Sequence, residues 1–277
     1  MSATVTRRGG GALLDDAIDR IRGDWFVFAL LHLLPSLPFF AATLFWFVRI
    51  DLRGAMPGRD DALLPILLVP KILGWGALSA WAAAGSRGRA CGAGAAWRAA
   101  LRRLPEVLLG GALYLASVLA GLFTVVGFAG VPLALTAMAA AVAGDGAGGW
   151  TAVRQSWRAA AQELGQAFVI LAYSFCAWIF VALNLWLLPV LLMALGAGGL
   201  GFDLSLVANA FGLDRAASAA FAGLAASTLL EGVIVVAFAE LQRDREAERE
   251  GTRFETFAAE LEARASKPQR LRAERVA

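Results

Sequence analysis

Six stretches of this chain are apolar over a length that water-soluble folds rarely use. They run from about residue 25 to 49, 62 to 84, 105 to 124, 129 to 144, 164 to 192 and 216 to 240. Crossing ~30 Å of hydrocarbon takes roughly 20 mostly apolar residues of helix, and these runs reach or approach that length. Soluble domains are about half apolar and a quarter charged; this chain is 59% hydrophobic and 17% charged. The charge is also concentrated, because residues from Leu241 onward carry 17 of the 47 charged side chains. The expected fold is therefore all-α: a polytopic transmembrane bundle of about six helices, with interfacial amphipathic helices and a cytoplasmic tail helix. Three regions follow: an N-terminal polar segment and amphipathic helix (1–24), a six-helix membrane domain (25–240) and a charged tail (241–277).

Residues 1–11 are polar and glycine-rich and are expected to be disordered. In "ALLDDAIDRIRG", Leu13, Leu14, Ala17, Ile18 and Ile21 share one helical face, with Asp15, Asp16, Asp19 and Arg22 mostly opposite. That pattern predicts an amphipathic helix at the membrane interface. No basic region runs directly into a short apolar core, so no cleaved signal peptide is expected. Pro35 and Pro38 predict a kink in the first span. Residues 105–144 break near Gly127 to Pro132 and read as two short spans or as one re-entrant hairpin. The fifth span is long enough to tilt or to break near Pro189. A short helix is expected at 203–211. In the tail, Gly251 predicts a break, Thr252 and Glu255 form a capping box, and Phe254, Phe257, Ala258 and Leu261 line one face. That face is either an ordinary solvated helix or a docking surface for a protein partner.

Basic residues set the orientation. With the N-terminus inside, the inner segments hold 20 of the 25 Lys and Arg and the outer loops hold four. Both termini are thus expected in the cytoplasm. The net charge of +3 implies no large basic surface for nucleic acid. Cys91 lies near a loop and Cys176 deep in an apolar run, so no disulfide is expected.

One phrase is written twice. Aligning Trp97 with Trp157 matches Arg98 to Arg158, Ala99 and Ala100 to Ala159 and Ala160, and Leu104 to Leu164. Both copies precede a span on the inner side. Ala93, Trp97, Ala100, Leu101 and Leu104 form the apolar face of the first, with Arg98, Arg102 and Arg103 beside it. In the second, Val153, Trp157, Ala160, Ala161 and Leu164 form the face, beside Arg154 and Arg158, with Trp150 just upstream. Tryptophan favours the headgroup zone and arginine reaches anionic phosphates of the cytoplasmic leaflet. Trp97, Arg98, Arg102, Arg103, Trp150, Arg154, Trp157 and Arg158 are the candidate membrane-interface and lipid-binding residues. The duplication is either a structural repeat or the interface rewarding the same pair twice.

The stretch "AVAGDGAGGWTAVRQSWRAA", with Ala152 followed by Ser156 and Trp157 before the fifth span, and the preceding "GFAGVPLALTAMAAAV" resemble two families of six-span bacterial membrane proteins. These are the YciC-like proteins and the membrane domain attached to some glycerophosphodiester phosphodiesterases. The resemblance covers roughly 85–180. It implies a bacterial inner-membrane module, and no phosphodiesterase reaction is expected from it, since the charged tail is far shorter than a soluble domain of that kind.

Four polar side chains fall inside the spans: His32, Lys71, Asn184 and Glu231. Charges there are costly and mark either an ion pair or a transport path. Ala219, Gly223, Ser227 and Glu231 recur every four residues, a small-residue ridge that turns Glu231 toward the bundle. No catalytic residues, metal site or cofactor are expected. One histidine and two scattered cysteines do not make a usual zinc site, no nucleotide or nucleophile-elbow motif occurs, and Asp15, Asp16, Asp19 and Asp24 read as a solvated face. The expected function is that of a non-enzymatic membrane protein organising anionic lipid or a partner complex. The alternative is a small transporter or channel using Glu231 and Lys71, and a membrane-embedded lipid enzyme ranks third.

Overall fold

The computed structural model describes residues 9–53, 64–85, 91–123, 130–143, 164–195 and 216–273. Among these the secondary structure is helical throughout. The elements are α1 (Gly10–Gly23), α2 (Trp25–Phe28), a wide π turn (Ala29–Leu33), α3 (Leu34–Arg53), α4 (Leu64–Gly85), α5 (Ala93–Arg102), α6 (Leu104–Phe123), α7 (Gly130–Ala143), α8 (Leu164–Leu195) and α9 (Ala216–Ala273). Four stretches are long and apolar enough to cross a membrane: Trp25–Ile50, Ile66–Gly85, Gly165–Leu188 and Ala217–Arg245. The pair α5–α6, bent by 87°, supplies a fifth. Helix α7, at 14 residues, is about 21 Å long at 1.5 Å per residue, short of ~30 Å of hydrocarbon. Among the described residues, four helices, or five with the bent pair, are thus long and apolar enough to cross a membrane; the segments flanking α7, where a sixth span is expected, lie outside the described residues.

Helix α4 is the central post. It packs against α3, α5, α6, α7 and α9. Ile72, Trp75, Ala77, Leu78, Ala80, Trp81, Ala82 and Ala83 are buried along it. A helix apolar all round belongs in the interior, and α4 has no polar stripe to direct outward. Helix α8 is the opposite case: it packs on α9 and α1 and leaves most of its apolar surface exposed.

The first span bends by a mechanism the prolines supply. Pro35 has no N–H to donate to the Leu31 carbonyl, and its ring crowds that oxygen. The chain responds with the π turn at Ala29–Leu33, whose last bond runs from the Leu34 N–H to the Ala29 carbonyl. Ser36 Oγ donates to the His32 carbonyl at 2.7 Å. The bulge thus sits one turn upstream of Pro35, while α3 continues through Pro38. The bulged Leu31 carbonyl faces Gly74 of α4, where a Cβ would lie 2.5 Å from the oxygen.

Two expectations are corrected at the ends of the chain. Helix α1 does not float on the surface: Leu13, Leu14, Ala17 and Ile21 are buried against α9 and α8, and Ile18 is left outside the buried face. Its start is also ordered from Gly10, inside the segment expected to be disordered; residues 1–8 lie outside the described set. Nor does Gly251 break the tail, because α9 runs uninterrupted from Ala216 to Ala273. A helix-interior glycine costs only about 1 kcal/mol, and the Glu-, Arg- and Ala-rich flanks are good helix formers. The capping box at Thr252 therefore starts no new helix, and the boundary drawn at 240/241 falls within one element. Likewise α8 continues past residue 189. The helix expected at 203–211 lies outside the described residues.

Arg20 joins α1 to both α4 and α9. Its guanidinium bridges the Glu240 carboxylate of α9 at 2.8 Å and donates to the Ala82 carbonyl of α4. Since Lys71 of α4 meets Glu231 of α9, and Ala82 and Glu240 meet at Arg20, α4 and α9 run in the same direction. Helix α1 and the Glu240 level of α9 lie at one end of the bundle.

Candidate functional site

Three of the four polar side chains expected inside the spans come together. His32 is carried by the π turn, Lys71 by α4 and Glu231 by α9. Lys71 Nζ lies 2.7 Å from Glu231 Oε2, with the two side chains 6% and 17% exposed. The ammonium also sits 5.2 Å from the centre of the Phe39 ring and 5.5 Å from that of Trp75. Both are within cation–π range, so the cation is held by a carboxylate and two ring faces. Tyr114 packs edge-on against Trp75 at 4.7 Å, which closes this side of the cage with α6.

His32 is fully buried. Its Nε2 bonds the Thr228 carbonyl, one turn before Glu231 on the same helix. A carbonyl only accepts, so Nε2 carries the hydrogen and the neutral ring keeps Nδ1 as an acceptor. Among the described residues Nδ1 has no hydrogen-bond partner, and neither has the buried Trp75 Nε1. An unmet buried polar atom costs about 1–3 kcal/mol. The centre therefore holds one unused acceptor and one unused donor beside a buried ion pair.

The backbone makes room for this seat. At Gly232, next to Glu231, a Cβ would lie 2.5 Å from Phe28 Cε2 and 2.7 Å from His32 Cδ2. Glycine there lets the π turn press Phe28 and His32 against α9, with the two rings 5.3 Å apart. Chemically, the arrangement can bind three helices through a neutral pair, or hold and pass a proton among three ionisable groups.

Asn184 is not part of this centre. It lies exposed on α8, and its Nδ2 donates to the Phe180 carbonyl at 2.7 Å. The small-residue ridge faces two ways: Trp178 Nε1 donates to Ser227 Oγ at 3.0 Å and Gly223 turns toward the same indole, whereas Glu231 reaches α4. Sequence reasoning missed Phe39, Trp75 and Thr228 around the pair, and Arg20 with Glu240 at the bundle end. The sequence signals available were Trp75 one turn from Lys71 and Gly232 beside Glu231.

A second candidate surface is α5. This ten-residue helix turns 87° away from α6 and lies across the same end of the bundle as Arg20. Ala96 and Ala100 are buried beneath it, and Trp97 packs partly against the core. The apolar face is rotated from the expected one, because Leu101 is 54% exposed and points away from the bundle. Arg98 and Arg102 are exposed on the far side; Arg103 lies 3.8 Å from Glu106. Between α5 and the first span runs an apolar groove of about 480 Å³ lined by Leu30, Leu34, Pro35, Ala93 and Trp97. Burial pushes the Cys91 thiol, at the start of this helix, up from its usual range. Trp150, Arg154, Trp157 and Arg158, the second copy of the phrase, lie outside the described residues.

These features define an all-helical protein whose helices are long and apolar enough to cross a membrane. The chain matches no family model, no curated protein sequence and no solved structure.

Proposed function

We propose that the protein is a non-enzymatic integral membrane protein of a bacterial inner membrane, with both termini in the cytoplasm, that organises anionic lipid at the cytoplasmic leaflet. The observation that carries this reading is α5: it lies at 87° to α6, with alanines inward and Arg98 and Arg102 outward. A helix lying across the bundle end with its cations exposed suits phosphate headgroups, each basic residue near an anionic surface contributing about 1 kcal/mol. Exposed Leu101 and the groove beside Trp97 suit acyl chain. The same reading takes in Trp150, Arg154, Trp157 and Arg158, and the resemblance to six-span bacterial modules. The continuation of α9 to Ala273 offers a protein partner a second attachment.

The test is native mass spectrometry of the protein from nanodiscs of mixed phosphatidylglycerol and phosphatidylcholine. Changing Arg98 and Arg102 together to Gln removes about 2 kcal/mol of phosphate attraction, roughly thirty-fold in the preference for anionic lipid at those positions. An unchanged lipid ratio excludes α5 as the lipid-organising element.

A second reading, a small transporter or channel using Lys71 and Glu231, is favoured by one specific observation. The unmatched His32 Nδ1 and Trp75 Nε1 flank the ion pair at a π turn, a backbone device frequent at functional sites. Proton flux into liposomes distinguishes the readings: Glu231→Gln abolishes flux through such a path, and leaves the lipid preference of α5 intact.

A further inference from the structure

Asn184 is out of place on the helix that carries it. Helix α8 has no charged residue over its 32 residues. Asn184 is 20 residues from the start and 11 from the end, so more than ~15 Å of apolar helix lies on either side. Its side chain is exposed, and among the described residues only one N–H of its hydrogen-bonding capacity is used, on the Phe180 carbonyl of its own helix. A primary amide has two donors and an accepting oxygen, and acyl chains offer none of these a partner.

The neighbours of Asn184 form a pattern. Tyr173, Phe180 and Leu187 are spaced by seven, as are Asn184 and Leu191, and the two sets interleave by four and three. Their exposures are 62, 70 and 52% for the first set and 56% for Leu191. Half of α8 is already used: Ala167, Ile170 and Ser174 are buried and Trp178 is bonded to α9. The seam from Phe180 to Leu191 lies roughly a third of a turn round the helix from that face, at about 100° per residue, and a shallow groove of about 680 Å³ lies along it, lined by Phe180, Asn184, Leu187, Leu188 and Leu191 among others. Interleaved sevens with large apolar residues at one position and a single Asn at the other form the seam of a two-stranded coil, in which a lone Asn fixes register and strand number.

We propose that this seam is a docking surface for a second copy of the chain, with two α8 helices packed in parallel about a twofold axis and the two Asn184 amides bonded to each other. The occupant follows from complementarity. An amide supplies both the donor and the acceptor that an identical amide needs, and a twofold axis brings the same residue of each copy face to face. Lipid cannot make that bond. A parallel pair is also what two copies inserted in the same orientation present.

The test uses the full chain in bilayers, with Cys91 and Cys176 replaced by Ser. Oxidative cross-linking of Leu187→Cys, on the seam, gives a covalent dimer, whereas Ile179→Cys, exposed on another side of α8, gives little. Asn184→Leu weakens self-association about three- to ten-fold in a dilution series read by single-molecule photobleaching, and Asn184→Gln keeps most of it. A monomer at all protein-to-lipid ratios overturns the proposal, as does equal cross-linking at 179 and 187. Unchanged association in Asn184→Leu overturns the role of the amide. Retained monomer fluorescence and helicity of Asn184→Leu show that any loss is not misfolding.

Discussion

Replacing Lys71 by Met is expected to lower stability by about 3–5 kcal/mol, the usual cost of removing one partner of a buried pair. The reason is geometric. Glu231 is joined to Lys71 at 2.7 Å, and among the described residues no other cation lies within ion-pairing distance of it. Met keeps the length of the stem and its contact with Phe39 and Trp75 but removes the charge, so the loss reports the pair rather than packing. The complementary change, Glu231→Gln, leaves an ammonium with only the two ring faces, and costs less because cation–π contact offsets part of the loss. The double variant Lys71→Met with Glu231→Gln is expected to recover most of the stability, since buried pairs replaced as a unit are often neutral. Unfolding in mixed micelles, read as a double-mutant cycle, measures this. Additive single losses would show that the pair does not act as a unit.

The second large effect is expected at Gly74. A Cβ there lies 2.5 Å from the Leu31 carbonyl oxygen. That atom is backbone in a π turn already shaped by Pro35, so it has no rotamer to adopt. Gly74→Ala must therefore drive the first span and α4 apart by about 1 Å, and overpacking of this kind costs about 1–3 kcal/mol or more. The displacement also moves His32 and Phe28 off Gly232, so the damage spreads into the Lys71–Glu231 centre. Gly94→Ala on α5 is the control: nothing lies within 4 Å of the added carbon, and helix propensity favours Ala by about 1 kcal/mol. The two substitutions are chemically identical and are expected to differ in sign. Equal thermal midpoints would show that α3 and α4 do not approach as closely as described.

Much of the architecture was legible in hydropathy because helices in apolar surroundings are read by length alone. The spans beginning near residues 25, 62, 164 and 216 all appear as helices, and α1 and α5 appear where amphipathic periodicity placed them. The errors have a common cause. Periodicity says that a face is apolar and not what covers it. Leu13, Ala17 and Ile21 satisfy the pattern of a lipid-facing helix and of a protein-packed one equally, and the structure packs them on α9 and α8. Gly251 predicts a break by local propensity, which takes no account of the good helix formers on either side of it. Asn184 sits in an apolar run, which predicts burial, yet its side chain is exposed on α8.

The sequence by itself determined the class of fold, the positions of the apolar helices and the presence of four polar side chains among them. These properties depend on the free energy of transferring each residue, and that is local to the residue. Only the tertiary structure decided which of the four meet. His32, Lys71 and Glu231 are separated by 39 and 160 residues along the chain, and they converge because Pro35 forces a π turn while Gly74 and Gly232 let three helices close around it. Asn184 satisfies the same sequence criterion and is turned outward by the packing of Trp178 on α9. Contact between distant residues depends on helix rotation and spacing, which are set by the packed bundle as a whole.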